Sequence, residues 1–359
     1  MIIKSLEIKN IRNLKNCYLK PGENINIFYG ENANGKTSLI ESIYLVSNLK
    51  SFKTNNLSET INIENINSNI NCLYEVNKNS NKLNFEINKT TKKYLKNDKK
   101  CKIDEYLWSL FSIVFVPDDI LLINGSPSKR RDLIDRAIFY TNKNYINILK
   151  NYYKIISNKN INLKKNKINE IENWNILIAK YSSEIVSIRN NYINRINFIL
   201  NNKLNIFGFS FNILKSISLP DDELENYFLN ELKNNLKKEI KYKYSLIGAH
   251  RQNIDFNIDN RSLKIFGSQG QKKAFILLFR SSQIIDFETI HKFVPILLLD
   301  DMASELDHLN KKIYSEILSK FSGQIFITTT DKNLILSSDK VKYFHVENGL
   351  INSFSDQGA

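Results

Sequence analysis

The chain has 359 residues and a formal net charge of +14, because 51 Lys and Arg outnumber 37 Asp and Glu. This length accommodates a full core and more than one lobe. The positive excess favours a polyanion such as DNA, although the abundance of Lys, Asn and Ile, typical of an AT-rich genome, gives it an alternative origin.

The composition argues against two other kinds of protein. The three cysteines, Cys17, Cys72 and Cys101, form no CxxC pair and the four His are scattered, so neither a disulfide framework nor a zinc site is expected. No signal peptide and no apolar run of membrane-spanning length are recognisable. We therefore expect a cytoplasmic protein that does not enter a membrane.

The first elements predict a strand, a glycine-rich loop and a helix in direct succession. One half-buried strand is indicated around Leu6 and Ile8, and a second over 24–29, where Ile alternates with Asn. Residues 30–37 fit G-x-x-x-x-G-K-[ST], and apolar residues recur at helical spacing over 39–46. This is the context that a phosphate-binding loop requires.

Each residue type in the loop has a physical role in binding a nucleoside triphosphate. Gly30 and Gly35 lack a Cβ, so backbone N–H groups can wrap around an anion at the helix N-terminus. Lys36, which we expect to be catalytic, supplies charge for the outer phosphates, and the Thr37 hydroxyl is placed to hold Mg2+. Ser38 is expected as the next helical residue rather than as a second metal ligand. The residues expected to bind ATP here are Gly30, Glu31, Asn32, Ala33, Asn34, Gly35, Lys36, Thr37 and Ser38.

The remainder of the first lobe predicts further strands. Residues 71–76 and 82–87 are predicted to form a hairpin around Asn79-Ser80-Asn81. A short strand is predicted at 113–116, closed by Pro117.

The middle of the chain is predicted to be helical. Apolar residues step by three or four over 171–199 and, after Pro220, again over 224–240. The Tyr and Trp side chains in these stripes are interpreted as core rather than as platforms for base stacking.

The last part returns to mixed structure. An almost continuously apolar run at 293–299 predicts a buried parallel strand, and another strand is predicted at 324–329. Residues 341–346 and 350–353 flank Glu347-Asn348-Gly349, which predicts a tight terminal hairpin.

Two carboxylates, Asp300 and Asp301, follow the buried strand at the end where open α/β sheets bind ligands. A dication would relieve their mutual repulsion. We expect Asp300 to serve the Mg2+ site through water, and Asp301 to orient or deprotonate the attacking water. The pair alone also fits a solvated turn, but the phosphate-binding loop upstream favours the catalytic interpretation.

Six segments between residues 5 and 331 resemble the RecF family of bacterial DNA repair proteins, which are ABC-type ATPases related to Rad50 and SMC heads. The segments are 6–13 with Asn-Ile-Arg-Asn, 51–53 with Ser-Phe-Lys, 125–135, 248–251 with Gly-Ala-His-Arg, 268–271 with the ABC signature, and 300–307 with Walker B and D-loop. The chain departs from the family pattern at Ile11, Lys53, Ala249 and Gln252-Asn253, where Phe, Arg, Pro and an Asp pair are usual.

The resemblance implies further nucleotide contacts. Arg12 is implied in the same subunit, and Ser268, Gly270 and Gln271 from a second copy of the chain. Ser268 is predicted to be the N-cap of a helix, and in such heads this terminus contacts the γ-phosphate on the opposite subunit, so that ATP would hold a two-fold dimer together. The alternative is an ordinary capped helix within one subunit. Thr330 and Asp331 stand where such heads carry a γ-phosphate sensor.

The expected fold is α/β, an ABC-type ATPase head (P-loop NTPase) with an inserted, mainly helical second lobe. The two halves of the head are expected at 1–120 and 246–359, and the helical lobe at 121–245.

The leading hypothesis is an ATP-dependent DNA-binding protein of recombinational repair and replication that dimerises on ATP and hydrolyses it slowly. The resemblance implies ATP and Mg2+ as cofactors, double-stranded DNA and DNA gaps or junctions as ligands, RecR and RecO as partners, and assistance to RecA.

One alternative is the nucleotide-binding subunit of an ABC transporter, which would pellet with membranes. The Asp300-Asp301 pair and the helical insertion count against it, because transporters usually have Asp-Glu there. The other is a structural protein that holds ATP without turnover, which phosphate release stimulated by duplex DNA would exclude.

Overall fold

Three β-sheets organise residues 1–204, 210–301, 306–330 and 341–354, which are the residues that this computed structural model describes. The chain forms two compact units. Unit 1 comprises Met1–Asp119 and Phe287–Ala359, and unit 2 comprises Ile120–Asp286.

The described ranges contain the following strands and helices. The strands are β1 (Ile2–Ile11), β2 (Leu14–Leu19), β3 (Ile25–Tyr29), β4 (Asn67–Val76), β5 (Asn79–Asn88), β6 (Lys92–Lys96), β7 (Ser112–Phe115), β8 (Phe211–Lys215), β9 (Ile254–Ile258), β10 (Arg261–Ser262), β11 (Ile296–Asp300), β12 (Ile325–Thr329), β13 (Val341–Glu347) and β14 (Leu350–Phe354). The helices are α1 (Lys36–Asn48), α2 (Ile103–Leu107), α3 (Ile120–Asn124), α4 (Pro127–Phe139), α5 (Tyr145–Lys164), α6 (Ile171–Asn202), α7 (Asp221–Tyr242), α8 (Leu263–Phe266), α9 (Gln269–His291) and α10 (His308–Lys320).

The six-stranded sheet of unit 1 has the order β14-β13-β3-β12-β11-β7. All neighbours in it pair in parallel except β13 and β14. Strands β7, β11 and β12 are buried at every position, as expected of parallel strands that are covered on both faces. The carboxyl ends of β3, β11 and β12 therefore meet at one edge, where α/β sheets bind ligands.

Helix α1 is held between this sheet and a second one. The five-stranded antiparallel sheet has the order β2-β1-β4-β5-β6, and α1 contacts strands of both sheets. Its side chains Leu39, Ile40, Ile43 and Leu45 are fully buried in the shared core. Since Lys36 and Thr37 form the first turn of α1, this packing fixes the place of the phosphate-binding residues.

Two hairpin turns of unit 1 test the sequence predictions. The terminal turn is confirmed, with Asn348 and Gly349 at φ of 49° and 76° between β13 and β14. The predicted turn at Asn79-Ser80-Asn81 is wrong, because these residues belong to β5. The turn lies at Asn77-Lys78, at φ of 51° and 66°, and a two-residue turn with positive φ matches the twist of the strands it joins.

Unit 2 contains the predicted helical stripes. Helix α6 runs as one long helix and buries Ile171, Ile178 and Ile185, and α7 begins after Pro220 and buries Leu224, Phe228 and Leu232. The unit also contains the antiparallel sheet β10-β9-β8, which the sequence did not predict.

Unit 2 includes residues 246–286, which follow the helical lobe expected at 121–245. Strand pairing joins them to it, since β9 pairs with β8 along its whole length. The division into a split head and a helical lobe stays a prediction.

A buried ion pair anchors unit 2. The Arg189 guanidinium donates to both carboxylate oxygens of Asp135 at 2.8 Å, and Tyr145 donates to the same carboxylate at 2.6 Å. Arg189 also donates to the Ala249 carbonyl at 2.7 Å and to the Gln252 side chain at 3.1 Å. The guanidinium thus ties α6 to α4 and to the 249–252 segment.

Replacement of Asp135 by Ala should strongly destabilise the protein, because it leaves the Arg189 side chain, 1% exposed, without its counterion. We expect a loss of about 3–5 kcal/mol in the free energy of unfolding, measured by urea denaturation. The control is Glu316→Ala, which removes the partner of Lys320 on the surface of α10 and should change the same quantity by ~0.5 kcal/mol or less. Equal effects of the two substitutions would contradict the anchoring role.

Candidate nucleotide site

A cavity of about 580 Å³ lies at the carboxyl edge of the parallel sheet, and all of its lining residues belong to unit 1. It collects the end of the glycine-rich loop, the β1–β2 turn, the 53–63 segment and the ends of β11 and β12. The lining residues are Arg12, Asn13, Asn32, Ala33, Gly35, Lys36, Thr37, Ser38, Lys53, Ile61, Asn62, Ile63, Asp300, Asp301 and Thr328.

The loop needs glycine at both glycine positions of the G-x-x-x-x-G-K-[ST] motif. Gly30 and Gly35 have φ of 156° and 110°, which L side chains rarely adopt. A Cβ on Gly30 would lie 2.3 Å from the Val346 carbonyl oxygen, and one on Gly35 would lie 3.0 Å from the Leu14 side chain. The backbone can therefore turn tightly at the amino end of α1.

Lys36 lies inside the loop. Its Nζ donates to the carbonyl oxygens of Gly30 and Glu31, both at 2.8 Å, and the residue is 6% exposed. Burial lowers the pKa of Lys36, while the carboxylates of Asp301 and Asp300 act in the opposite direction. The ammonium group is thus held where a phosphate could take the place of the two carbonyls.

The two acidic residues are organised by Thr328, which the sequence did not single out. The Thr328 hydroxyl donates to Asp300 at 2.7 Å and accepts from the Asp301 N–H at 3.0 Å. Asp301 turns the chain at the end of β11 with φ of 45°, an uncommon value for a residue with a side chain. The available signal was the change from the apolar run 325–327 to two threonines, Thr328 and Thr329, at the end of the strand beside the carboxylate strand.

Asp300 fits the expected metal site. It is 6% exposed and burial raises its pKa, although hydrogen bonds from Thr328 and Thr37 act against that rise. The Thr37 hydroxyl and the Asp300 carboxylate therefore lie near each other at the same cavity, where both could serve one Mg2+. Within the described ranges no cluster of His, Cys, Asp and Glu could hold a metal by itself, so substrate phosphates and water would complete the coordination shell.

Arg12 lines the cavity, and its donors are bonded to α1 and to the 57–60 segment. Its Nε and one terminal nitrogen donate to the Glu41 carboxylate at 2.9 and 3.0 Å, and the other terminal nitrogen donates to the Glu59 carbonyl at 2.8 Å. The pairing with Glu41 raises the pKa of Arg12. A nucleotide contact of Arg12 stays a prediction.

The segment 51–53 is built around the same carboxylate. The Ser51 hydroxyl donates to Glu41 and accepts from the backbone N–H of Lys53 at 2.9 Å and of Thr54 at 3.1 Å. Lys53 thereby reaches the cavity, where its charge acts against the rise in the pKa of Asp300 that burial causes.

Hydrogen bonds through Asn13 and Asn34 connect the loop to the neighbouring turns. Asn13 donates to the Ala33 carbonyl at 2.8 Å and accepts from the Ser38 hydroxyl at 2.8 Å. Asn34 accepts through its carbonyl from the Gly349 N–H at 3.0 Å. Ser38 lies in α1, where it was expected as a helical residue, and its hydroxyl ties α1 to Asn13, which the sequence did not identify.

Ser268 caps α9, as predicted. Its hydroxyl accepts from the Gln271 N–H at 3.1 Å, and its own N–H donates to the Gln271 side chain at 2.8 Å. This reciprocal capping box satisfies two backbone donors at the start of the helix. Ser268, Gly270 and Gln271 belong to unit 2, and their contact with a nucleotide stays a prediction.

The segment 125–135 contacts residues 252–255, which directly follow the segment 248–251, in unit 2. Arg131 donates to the Gln252 carbonyl at 2.9 Å, and Arg130 forms an ion pair with Asp255 at 2.9 Å. Gln252, 2% exposed, accepts from Arg189. The Gln252-Asn253 departure is therefore accommodated, because an amide oxygen serves as the acceptor in place of a carboxylate.

Some predicted positions lie outside the described residues. These are residues 302–305 of the Walker B and D-loop segment, Asp331 of the sensor position, and the final residues 355–359. Thr330 is described and is exposed.

A parallel sheet with a glycine-rich loop, a lysine in its first helix turn and carboxylates on a neighbouring strand defines a P-loop ATPase head of the SMC and RecF type. Residues 2–352 match the family described as the RecF/RecN/SMC N terminal domain. The chain belongs to the RecF family of DNA replication and repair proteins.

Individual relatives agree with this assignment. The chain is 36% identical to the DNA replication and repair protein RecF of Clostridium beijerinckii over 98% of both chains, and 35% identical to that of Geotalea uraniireducens over 92% of this chain and 93% of the relative. A solved structure of the recombination mediator protein RecF with ATP, in the RecFOR pathway, is 30% identical, has a TM-score of 0.91 and covers 99% of this chain and 98% of that one. An SMC head bound to a ScpA domain, 16% identical with a TM-score of 0.57 over 99% and 98%, shares the fold.

The helices of the described ranges include none with both the length and the apolarity needed to cross a membrane.

Replacement of Asp300 by Asn should stabilise the nucleotide-free protein. Burial raises the pKa of Asp300, so the ionised carboxylate costs stability at pH values above its folded pKa, and that cost disappears as the pH falls through it. The gain from Asn should therefore be largest near neutral pH and shrink on acidification, in thermal unfolding with a metal chelator present.

The matched control is Asp98→Asn, at a side chain 67% exposed, which should leave the unfolding temperature nearly unchanged. If Asp300→Asn unfolded at a lower temperature than the unmodified protein near neutral pH, the assignment of Asp300 as a desolvated carboxylate that can bind a metal would be contradicted.

Proposed function

We propose that this protein is an ATP-dependent DNA-binding protein of recombinational repair and replication, acting in the cytoplasm. ATP would close a dimer at DNA gaps or junctions, and slow hydrolysis would open it. The observation that carries the proposal is the convergence of Lys36, Thr37, Asp300 and Asp301 on one cavity, together with the ATP-bound state of a similar RecF protein.

The residues of the cavity would have separate roles in ATP binding and hydrolysis. Backbone N–H groups of the loop and Lys36 would bind the phosphates, and Thr37 and Asp300 would hold Mg2+. The ion, when bound, supplies charge neutralisation between the outer phosphates. Asp301, next along the chain and displaced by its left-handed turn, would orient the attacking water and accept its proton.

The second half of the site would come from another copy of the chain. The capping box at Ser268 leaves α9 with a preformed amino end, and the positive end of a helix favours an anion. In the proposed dimer this end contacts the γ-phosphate held by the partner's loop. Loss of the γ-phosphate would remove that contact and open the interface.

The DNA and protein partners follow from the family and the charge. The net charge of +14 suits a DNA ligand. A similar RecF protein acts in the RecFOR pathway, so RecR and RecO are the proposed protein partners and RecA loading the proposed outcome. Phosphate release stimulated by duplex DNA would separate this switch from a protein that only holds ATP.

Replacement of Asp301 by Asn should trap the dimer. Without the proposed base, hydrolysis should fall by about 100-fold or more while ATP still binds, so sedimentation in ATP and Mg2+ should show dimers. The double variant Lys36→Ala/Asp301→Asn is the control and should stay monomeric, because ATP binding needs Lys36. Monomers alone for Asp301→Asn with ATP bound would exclude the shared site.

Mixing two inactive variants tests the shared site directly. Lys36→Ala removes the loop cation and Ser268→Arg blocks the capped helix end, so each alone should lose ATP-dependent retention on gapped DNA. A mixed dimer contains one site with an intact loop from one subunit and an intact cap from the other. The mixture should therefore recover ATP hydrolysis and DNA retention, whereas a site contained within one subunit would give no recovery.

A further inference from the structure

The end of α7 carries an exposed aromatic and basic surface that the nucleotide site does not use. It consists of Lys241, Tyr242, Lys243, Tyr244 and Arg251, all in unit 2, and is called the tyrosine platform below. Tyr242 and Tyr244 are 54% and 41% exposed, and their ring centroids lie 6.1 Å apart.

A cation accompanies each ring. Lys241 Nζ lies 6.0 Å from the centre of the Tyr242 ring, and the Arg251 guanidinium lies 5.6 Å from the centre of the Tyr244 ring. Segment 241–251 contains no Asp or Glu. Each exposed ring therefore has one cation from its own segment beside it, and that segment carries no negative side chain.

The end of α5 adds to this charge. Lys243 donates to the side chain of Asn166, just beyond α5, and the exposed Lys164 and Lys165 precede that asparagine. The nearest acidic group along that segment is Glu170, which pairs with Lys167 at 3.6 Å. The exposed lysines at the end of α5 thus stand next in the chain to the residue that Lys243 binds.

Buried hydrogen bonds fix the backbone of the tyrosine platform. The fully buried Glu239 carboxylate accepts from Lys159 at 2.6 Å and from the Leu246 N–H at 2.8 Å. The Ser245 N–H donates to Asn160 at 2.7 Å. The backbone beneath the two tyrosines is therefore fixed, so that ordering it on binding would cost little.

The lysines alone have a simpler role, because cations stabilise helix carboxyl ends. That role does not account for two neighbouring exposed tyrosines, each with a cation at its ring. Aromatic faces next to a basic track are the combination that binds single-stranded nucleic acid, since unpaired bases stack on the rings and phosphates meet the cations.

We propose that the tyrosine platform binds the single-stranded DNA of a gapped substrate. Tyr242 and Tyr244 would each stack an unpaired base, and Lys241, Arg251 and the lysines at the end of α5 would bind phosphates. Duplex DNA would gain only the phosphate contacts, because its bases are already stacked. The proposal rests on the proposed DNA-binding function and assigns the single strand a surface of its own.

The test is fluorescence anisotropy of the full-length protein with a labelled thymidine 20-mer and, separately, a 20-base-pair duplex. Tyr242→Ala/Tyr244→Ala should weaken binding of the single strand by about tenfold or more and leave duplex binding within about twofold. Tyr242→Trp/Tyr244→Trp should restore the single-strand affinity, because it restores the aromatic faces.

The matched control is Tyr18→Ala, which removes a tyrosine 61% exposed with Lys20 Nζ 5.8 Å from its ring centre, in unit 1. It should bind both DNAs as the unmodified protein does. Lys241→Gln should reduce the slope of log affinity against log salt for the single strand by about 0.7, the value for one phosphate contact.

Two results would overturn the platform. One is unchanged single-strand affinity in the double alanine variant, and the other is an equal loss for single strand and duplex. If the unmodified protein bound neither DNA, the proposed DNA-binding function would fail together with the platform. Binding by the unmodified protein with no effect of the tyrosines would reject the platform alone.

Discussion

The buried carboxylate of Glu41 joins three segments around the nucleotide cavity. It lies on α1, fully buried, and accepts hydrogen bonds from Arg12 and Ser51. A buried charge is costly unless it is paired and hydrogen-bonded, so the β1–β2 turn and the 51–53 segment are held against α1. The phosphate-binding loop, Arg12 and Lys53 thereby share one cavity although they are distant in sequence.

The opposite wall of the cavity is held by hydrogen bonds at strand ends. Thr328 on β12 hydrogen-bonds to Asp300 at the end of β11 and to the backbone of Asp301, which directly follows β11. The two carboxylates lie near Lys36. Burial lowers the pKa of Lys36, and the negative charges of Asp301 and Asp300 act against that fall. The two neighbouring carboxylates are costly in the empty site, because they repel each other and Asp300 is buried. A nucleotide with its metal would neutralise their charge. Such a loss of stability in exchange for function is usual at an active site.

Unit 2 uses buried charge for a different purpose. The Asp135–Arg189 pair and the Lys159–Glu239 pair are buried and fix backbone segments rather than a ligand. The first connects the 125–135 and 248–251 motifs, and the second supports the segment that carries Tyr242 and Tyr244. Rigid scaffolding of this kind lets exposed side chains act as a preformed surface.

The sequence by itself determined the local features: the strand, glycine-rich loop and helix at 24–48, the apolar strand ending in Asp300, the long stripe of α6, the Asn348-Gly349 turn and the cap at Ser268. Each depends on spacing or turn chemistry within a short window. Only the tertiary structure decided that Thr328, Asn13 and Glu41 belong to the site, that Gln252 accepts from Arg189, and that β8 to β10 form a sheet. These depend on partners far apart in the chain, because burial and hydrogen bonding select them after packing, and no local pattern encodes the pairing.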